Sequence, residues 1–434
     1  MKKFLVLTVI LSLIFGTVSL WAGGGQNASG QKKTIRYMVW GGAEYETEYL
    51  NHFKALFPDF AAKANVEVFV GGGGDGDLAE KIRLGLAANE SVCDVSRLNY
   101  TQIAEFAKAG VLTSMEDIIG PVRNDLLAGF RQLSEYEGKA VTVPDSIKTK
   151  IWYYRKDIFD RAGVNVSTIK NVDDFIAAGK KIQQLDPKYK IWSLGTEIDE
   201  YDYMMVLSGT NSSFSDANGN FRLTSDPNFR KVLVELKKLR DSGVVALVNE
   251  WTPDWEKAFA DEVLVSYPNA SWLAQANFLP KYAPNQKGQW HATQWFNFIG
   301  ETGGSEGGGA VYVIPTFAKE VALSKEYLSL KYLNKEGWFL HQKVGGAPYA
   351  LMRSWANDPR ATQPHFYIGG NFTAEMMKAI ENFKIFPWDP AAALELSIIS
   401  PHFSAAIIGE TDIDTALRNA EADLRNQVGN PWKR

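Results

Sequence analysis

Cysteine is almost absent: Cys93 stands alone in 434 residues. No intramolecular disulfide can form, so burial and hydrogen bonding must hold the chain together, and Cys93 reads as a small buried hydrophobe. Histidine is scarce too. His52, His291, His341, His365 and His402 are isolated, with no pair at i,i+4 spacing, so neither a metal site nor a cofactor is predicted. Positive charge is not in excess: 46 lysines and arginines face 50 aspartates and glutamates, which argues against nucleic acid or an anionic membrane surface as partner. Beyond residue 22 no apolar run approaches the ~20 residues a spanning helix needs.

The first 22 residues read as a secretory signal. Lys2 and Lys3 precede the apolar stretch Phe4–Val18, and cleavage is expected after Ala22, before Gly23-Gly24-Gly25, although Leu20 occupies the position three before the cut. The expected new N-terminus carries no cysteine, so lipid attachment there is not expected. Without Lys2 and Lys3, 44 basic residues remain against 50 acidic ones. A chain of this length suggests two domains. Its 13 tryptophans and 17 tyrosines either fill a large core or line a ligand cleft.

Residues 23–33 look like a flexible leader. Strand patterns at Thr34–Trp40, Val66–Val70 and Val92–Leu98 alternate with helical ones at Glu44–Phe57, Leu78–Ala88 and Thr101–Ala109, which predicts a parallel sheet covered by helices. Further helices are expected at Asp173–Leu185, Asn228–Ser242, Trp255–Ala260, Lys319–Asn334 and Ala416–Val428, and strands at Val263–Tyr267 and Ala310–Ile314. Glycine- or proline-rich joints fall at 71–76, 208–220, 302–309 and 345–348. The fold class is α/β, in two lobes.

Three patterns could signal an enzyme. Gly71-x-Gly73-x-x-Gly76 lies between a strand and a helix, as a dinucleotide fingerprint must, with Asp94 at a fitting distance. Asp75 and Asp77, however, stand where a pyrophosphate would approach, and the plainer reading is a strand-to-helix turn. Gly303-x-Ser305-x-Gly307 formally matches a nucleophile elbow, but glycines and a strand follow it instead of a helix. The acids of Asp199-Glu200-Tyr201-Asp202-Tyr203 could serve a glycosidase, although sequence spacing cannot show two carboxylates facing each other across a sugar.

Taken in order, the segments resemble the bacterial extracellular solute-binding proteins of carbohydrate ABC transporters, the maltose-binding type of family 1. The resemblance rests on Ile35-Arg-Tyr-Met-Val-Trp40-Gly-Gly, Asp94-Val-Ser-Arg-Leu-Asn99-Tyr100, Ile103–Leu112, and Ile151-Trp-Tyr-Tyr154-Arg-Lys-Asp157-Ile-Phe-Asp-Arg-Ala-Gly163. It continues through Asn269-Ala-Ser-Trp272, Gly309–Pro315, Lys331–Gly337 and Gly409–Leu417. It implies a type II-like periplasmic-binding-protein fold with the ligand cleft between lobes joined by a multi-strand hinge. The N-terminal lobe would comprise 34–144 and 299–346, and the C-terminal lobe 145–298 and 347–434, with crossings near 145, 298 and 346.

The same resemblance implies a monomeric periplasmic receptor that captures a carbohydrate by lobe closure and delivers it to the membrane permease. Rival readings are a secreted carbohydrate-active enzyme, or a receptor for a polyol, polyamine or sugar phosphate. The implied ligand-binding residues are Trp40 after the first strand and Asn99, where an acid is common. Asp145 lies in the first crossing, and Glu197 and Tyr201 in a cleft loop before a helix. Trp272 matches a stacking aromatic, with Trp251, Trp295 and Trp388 as further platforms. Lys148 departs from the small or acidic residue usual there. For each aromatic the alternative is core packing, and Trp152 and Trp338 are assigned to the core.

Overall fold

The computed structural model describes residues 32–301, 304–305, 309–345 and 349–433. The expected signal, its cleavage site and most of the leader lie outside these residues, as do Gly303 and Gly307 of the serine motif. No helix among the described residues is long and apolar enough to cross a membrane.

Eight strands position the site: β1 (Lys33–Trp40), β2 (Ala64–Gly72), β3 (Val95–Asn99), β4 (Val143–Pro144), β5 (Lys150–Arg155), β6 (Ser266–Ala270), β7 (Trp290–Thr293) and β8 (Ala310–Val313). The first sheet runs β2-β1-β3-β8-β4. β1 pairs in parallel with β2 and β3, while β8 is antiparallel to both β3 and β4. Ile35, Tyr37 and Met38 of β1 have no exposed surface, because a parallel strand with helices on both faces buries successive side chains. Pro144 donates no ladder hydrogen bond and sits on the edge strand β4, where none is needed.

The second sheet runs β6-β5-β7, all antiparallel. Its strand β6 begins three residues after the expected Val263. Val263 and Leu264 instead close the preceding helix, their amides bonding to Ala258 O at 2.9 Å. The helices 172–183, 200–207, 227–241, 392–408 and 413–427 build the layer around this sheet. Trp152 and Trp338 are buried, as assigned.

The chain passes between the sheets three times: from β4 to β5, from β7 to β8, and from helix 335–345, packed on helix 44–56, to helix 372–381, packed on β5 and β7. The single helix expected over Lys319–Asn334 is broken. Helix Val321–Leu328 gives way to a π turn at Ser329–Leu333, and Asn334 is extended at φ −98 and ψ 135. A Cβ on Gly337 would lie 1.8 Å from Leu330 O, so the doubling back at this point requires glycine.

Candidate functional site

The C-terminal ends of β1 and β3 carry the first wall of the cleft, as expected where parallel strands end. The Arg97 guanidinium lies 4.8 Å from the centre of the Trp40 ring, and its Nε is 3.3 Å from Asp75 Oδ1. Burial pushes the Asp75 carboxyl up, opposed by Arg97. Asn99 ends β3. Its Oδ1 accepts from Thr101 N at 3.2 Å and its backbone N donates to Gln102 Oε1 at 3.0 Å, a capping box that fixes the side chain. Its Nδ2 is thereby left to donate to Tyr201 Oη of the opposite lobe at 3.2 Å.

The first crossing supplies the floor. Ser146 Oγ donates to Asp145 Oδ1 at 2.5 Å, and Asp145 O faces His341 Nε2 at 3.2 Å. Lys148 is 7% exposed. Burial holds its ammonium down, to about 8, despite the pull of Asp145 and Asp75. Among the described residues, no carboxylate lies within ion-pair distance of it.

The second wall is acidic and aromatic. Asp199 caps helix 200–207, its Oδ1 accepting from Tyr201 N at 2.9 Å and its Oδ2 from Trp251 Nε1 at 2.6 Å. The Trp251 and Trp272 rings lie 4.9 Å apart at 30°, and Phe278 packs on Trp272 at 4.9 Å. Burial pushes the carboxyls of Asp199, Asp202 and Glu250 up, and that of Glu200 to about 7. Tyr267 Oη donates to Glu250. Between the walls lies a small cavity lined by Thr101, Glu200, Tyr201, Met204, Ser208, Trp388 and Leu396.

Glu200 should report on this wall. Its folded pKa is raised, so its contribution to stability is full below the unfolded value of ~4.3 and is lost as pH rises through about 7. Glu200→Gln should therefore melt close to the wild type at pH 4 and roughly 2 °C or more above it at pH 8. Equal melting curves at pH 8 would show that Glu200 is not strained by burial.

The predicted residues divide. Trp40, Asn99, Asp145, Tyr201, Trp251 and Trp272 fall on the two walls and the floor, and Trp388 lines the small cavity. Tyr201 belongs to helix 200–207 itself, not to a loop before it, because Asp199 starts that helix two residues earlier. Glu197 is an exposed loop residue held through its backbone N, which donates to Asn249 Oδ1 at 3.2 Å. Trp295 lines a different cavity, of about 220 Å³, with Lys150, Gln294, Phe296, Asn297, Glu301 and Asn382. There the buried pair Lys150–Glu301, at 3.0 Å, ties the first crossing to the second.

Asp75, Arg97 and Glu250 were not anticipated as site residues. The position of Asp75 at a helix start after a parallel strand was a usable signal, but a wall formed by residues so far apart in sequence has no local signature. The glycine fingerprint is accounted for by packing. Asp77 Oδ2 accepts from Gly73 N at 2.7 Å, so the chain's own carboxylate occupies the turn where a phosphate would sit, and a Cβ on Gly72 would meet Asp77 at 2.2 Å. Asp94 accepts from the backbone N of Arg36, Lys319 and Glu320, which makes it a structural clasp.

Two α/β lobes with three crossings and an aromatic, polar cleft define a two-lobed periplasmic-binding-protein fold. The profile described as bacterial extracellular solute-binding protein matches residues 55–337, and the chain belongs to that family. It is 25% identical over 358 residues to the arabinooligosaccharide-binding protein of Bacillus subtilis (strain 168), covering 78% of each chain. In structure it is similar to the ABC transporter associated binding protein of B. animalis subsp. lactis Bl-04 in complex with beta-1,6-galactobiose. That TM-score is 0.74 at 18% identity, covering 92% of this chain and 99% of the other. It is likewise similar to the GacH receptor of Streptomyces glaucescens GLA.O, at TM-score 0.73 and 20% identity, covering 91% and 98%.

Proposed function

We propose that this protein is the substrate-binding receptor of a carbohydrate ABC importer, taking up a sugar or oligosaccharide without chemical change and presenting it to the membrane permease. The observation that carries this is the Trp272 indole at the cleft wall that also bears the Asp199 carboxylate, with Asn99 and Tyr201 meeting across the cleft. Sugar rings offer an apolar face to indoles, and their hydroxyls pair with carboxylates and amides. The arabinooligosaccharide bound by the B. subtilis relative and the beta-1,6-galactobiose held by the structural neighbour support the same class.

In this reading the protein is exported, loses its signal near Ala22, carries no lipid there and acts as a monomer. Residues 34–144 with 299–346 form one lobe and 145–298 with 347–434 the other, and the permease touches both. Trp40, Asp145, Tyr201 and Trp388 complete the ligand contacts. A second reading, a cationic solute such as a polyamine, is favoured by one observation: no lysine or arginine among the described residues pairs with Asp199, Glu200, Asp202 or Glu250.

A thermal-shift and calorimetric panel of mono- and oligosaccharides, polyols, polyamines and sugar phosphates decides. An upward melting shift with one sugar series, and the sugar recovered intact, is the expected result. Shifts with polyamines alone would favour the second reading, and hydrolysis of a glycan would replace a receptor by an enzyme.

A further inference from the structure

Trp251 is unusual among the chain's aromatics. Its ring is 49% exposed, whereas the Trp272 ring beneath it is 7% exposed. Its backbone lies at φ +64, a left-handed conformation that L side chains other than asparagine and aspartate seldom adopt. The turn around it is pinned on both sides. Asn249 Oδ1 accepts from Thr196 N at 2.8 Å, and Thr252 Oγ1 donates to Asn249 O at 2.7 Å while Thr252 caps the next helix. A strained backbone held this firmly leaves the indole itself as the part free to move, about its side-chain torsions.

The contacts of that indole are the ones a saccharide would make at this wall. Its face lies on Trp272, and its N–H donates to Asp199 Oδ2. A pyranose or furanose unit stacked on Trp272 would place its C–H face where the indole lies and a hydroxyl where the N–H lies. Both cannot be present, because the two indoles are already in contact.

Building on the carbohydrate reading above, we propose that Trp251 is a surrogate ligand that fills an outer sugar subsite on Trp272, and so sets the number of sugar units the cleft accepts. A longer oligosaccharide must displace it. Its half-exposed position makes displacement feasible, since half of its surface already faces solvent and the contacts it gives up on Trp272, Trp255 and Phe278 are replaced in part by the sugar unit. Apparent affinity for longer chains is then reduced by the fraction of time the ring is parked.

The test is calorimetry on wild type, Trp251→Gly and Trp251→Phe with arabinobiose, arabinotriose and arabinotetraose, alongside maltose- and galactose-series oligomers of the same lengths. Glycine removes the ring and relieves the left-handed strain. Trp251→Gly should bind the longer members of the preferred series about tenfold more tightly, as release of a ring parked ~90% of the time requires, so that the affinity ratio of tetramer to dimer rises by about the same factor. Trp251→Phe, which keeps a ring but lacks the N–H donor, should fall between the two. If Trp251→Gly weakens every oligomer, the ring is itself a ligand platform and this inference is wrong. Equal affinities in all three proteins would also overturn it. Sugar binding by wild type with either result sinks this inference alone, whereas no sugar bound by any of the three sinks the carbohydrate reading and this inference together. A melting curve for each variant verifies folding.

Discussion

Glu46→Leu should destabilise the protein by about 3–5 kcal/mol, the cost of stranding one member of a buried ion pair. Lys331 has no exposed surface, and its ammonium pairs with Glu46. The rings of Tyr37, Tyr45, Tyr49, Tyr312, Tyr327 and Tyr332 surround it at 4.5–5.9 Å, so the cation also gains from ring quadrupoles. Tyr37 Oη donates to the same carboxylate at 3.0 Å.

Burial already holds the lysine pKa down, countered by Glu46. With Glu46 gone only the smaller pull of Asp145 counters it, and the unfolded chain holds the proton more tightly than the folded one. The penalty is therefore full near neutrality and shrinks as pH rises toward 10 and the folded lysine sheds its proton. Glu46→Leu combined with Lys331→Met should recover most of the lost stability. Chemical denaturation at pH 7 and pH 9.5 measures all of this, and a single variant within 1 kcal/mol of wild type, against the range above, would show that the pair is not desolvated. The cage reaches the hinge through Tyr45, which bonds His341, which in turn faces Asp145 O. The damaged variant should accordingly lose ligand affinity as well as stability.

Lys148→Met should do the opposite to stability and damage function. The folded pKa of Lys148 is depressed to about 8, below the ~10.4 of a free lysine. At pH 7 both states carry the proton and the folded protein bears the whole desolvation cost. As pH climbs from 8 toward 10.4 that cost is relieved. Removing the amine should therefore raise stability at pH 7 by on the order of 2 kcal/mol, with no gain left near pH 10.5. An ammonium kept buried without a carboxylate within ion-pair reach is a donor awaiting a ligand oxygen, so affinity should fall roughly 10- to 100-fold, the worth of a charge-assisted hydrogen bond. Differential melting and calorimetry read the two effects separately. Unchanged affinity would remove Lys148 from the binding floor, and lowered stability would show that its charge is already satisfied. Stability traded for function in this manner is usual at binding sites.

The alternation of strands and helices through residue 110 was legible because parallel strands are apolar on both faces and their covering helices carry a 3.6-residue period, as in Phe53, Leu50 and Tyr49 of helix 44–56. Helix Ala392–Ile408 was not legible. It is apolar nearly all round and contains Pro401, so neither a periodic stripe nor an unbroken run marked it, and only packing between helices 227–241 and 413–427 makes it a helix. Helix 200–207 likewise buries six consecutive residues from Asp202 to Leu207 and shows no polar face.

In the cleft, the structure brings Trp251 against Trp272 and Asn99 against Tyr201, four residues whose aromatic and amide chemistry marked them as candidates. What residue type could not tell was which tryptophan covers which, or that Trp295 turns toward the Lys150–Glu301 hinge pair.

By itself the sequence determined the α/β class, the lack of cross-links and the chemistry available for a ligand, since composition and periodicity are local properties of the chain. The tertiary structure decided which charges meet. Arg97 finds Asp75, Lys331 finds Glu46 across 285 positions, and Lys148 finds no ion-pair partner among the described residues, because contact between distant segments is set by how two sheets and three crossings pack and leaves no trace in local order. The same packing laid Trp251 across Trp272.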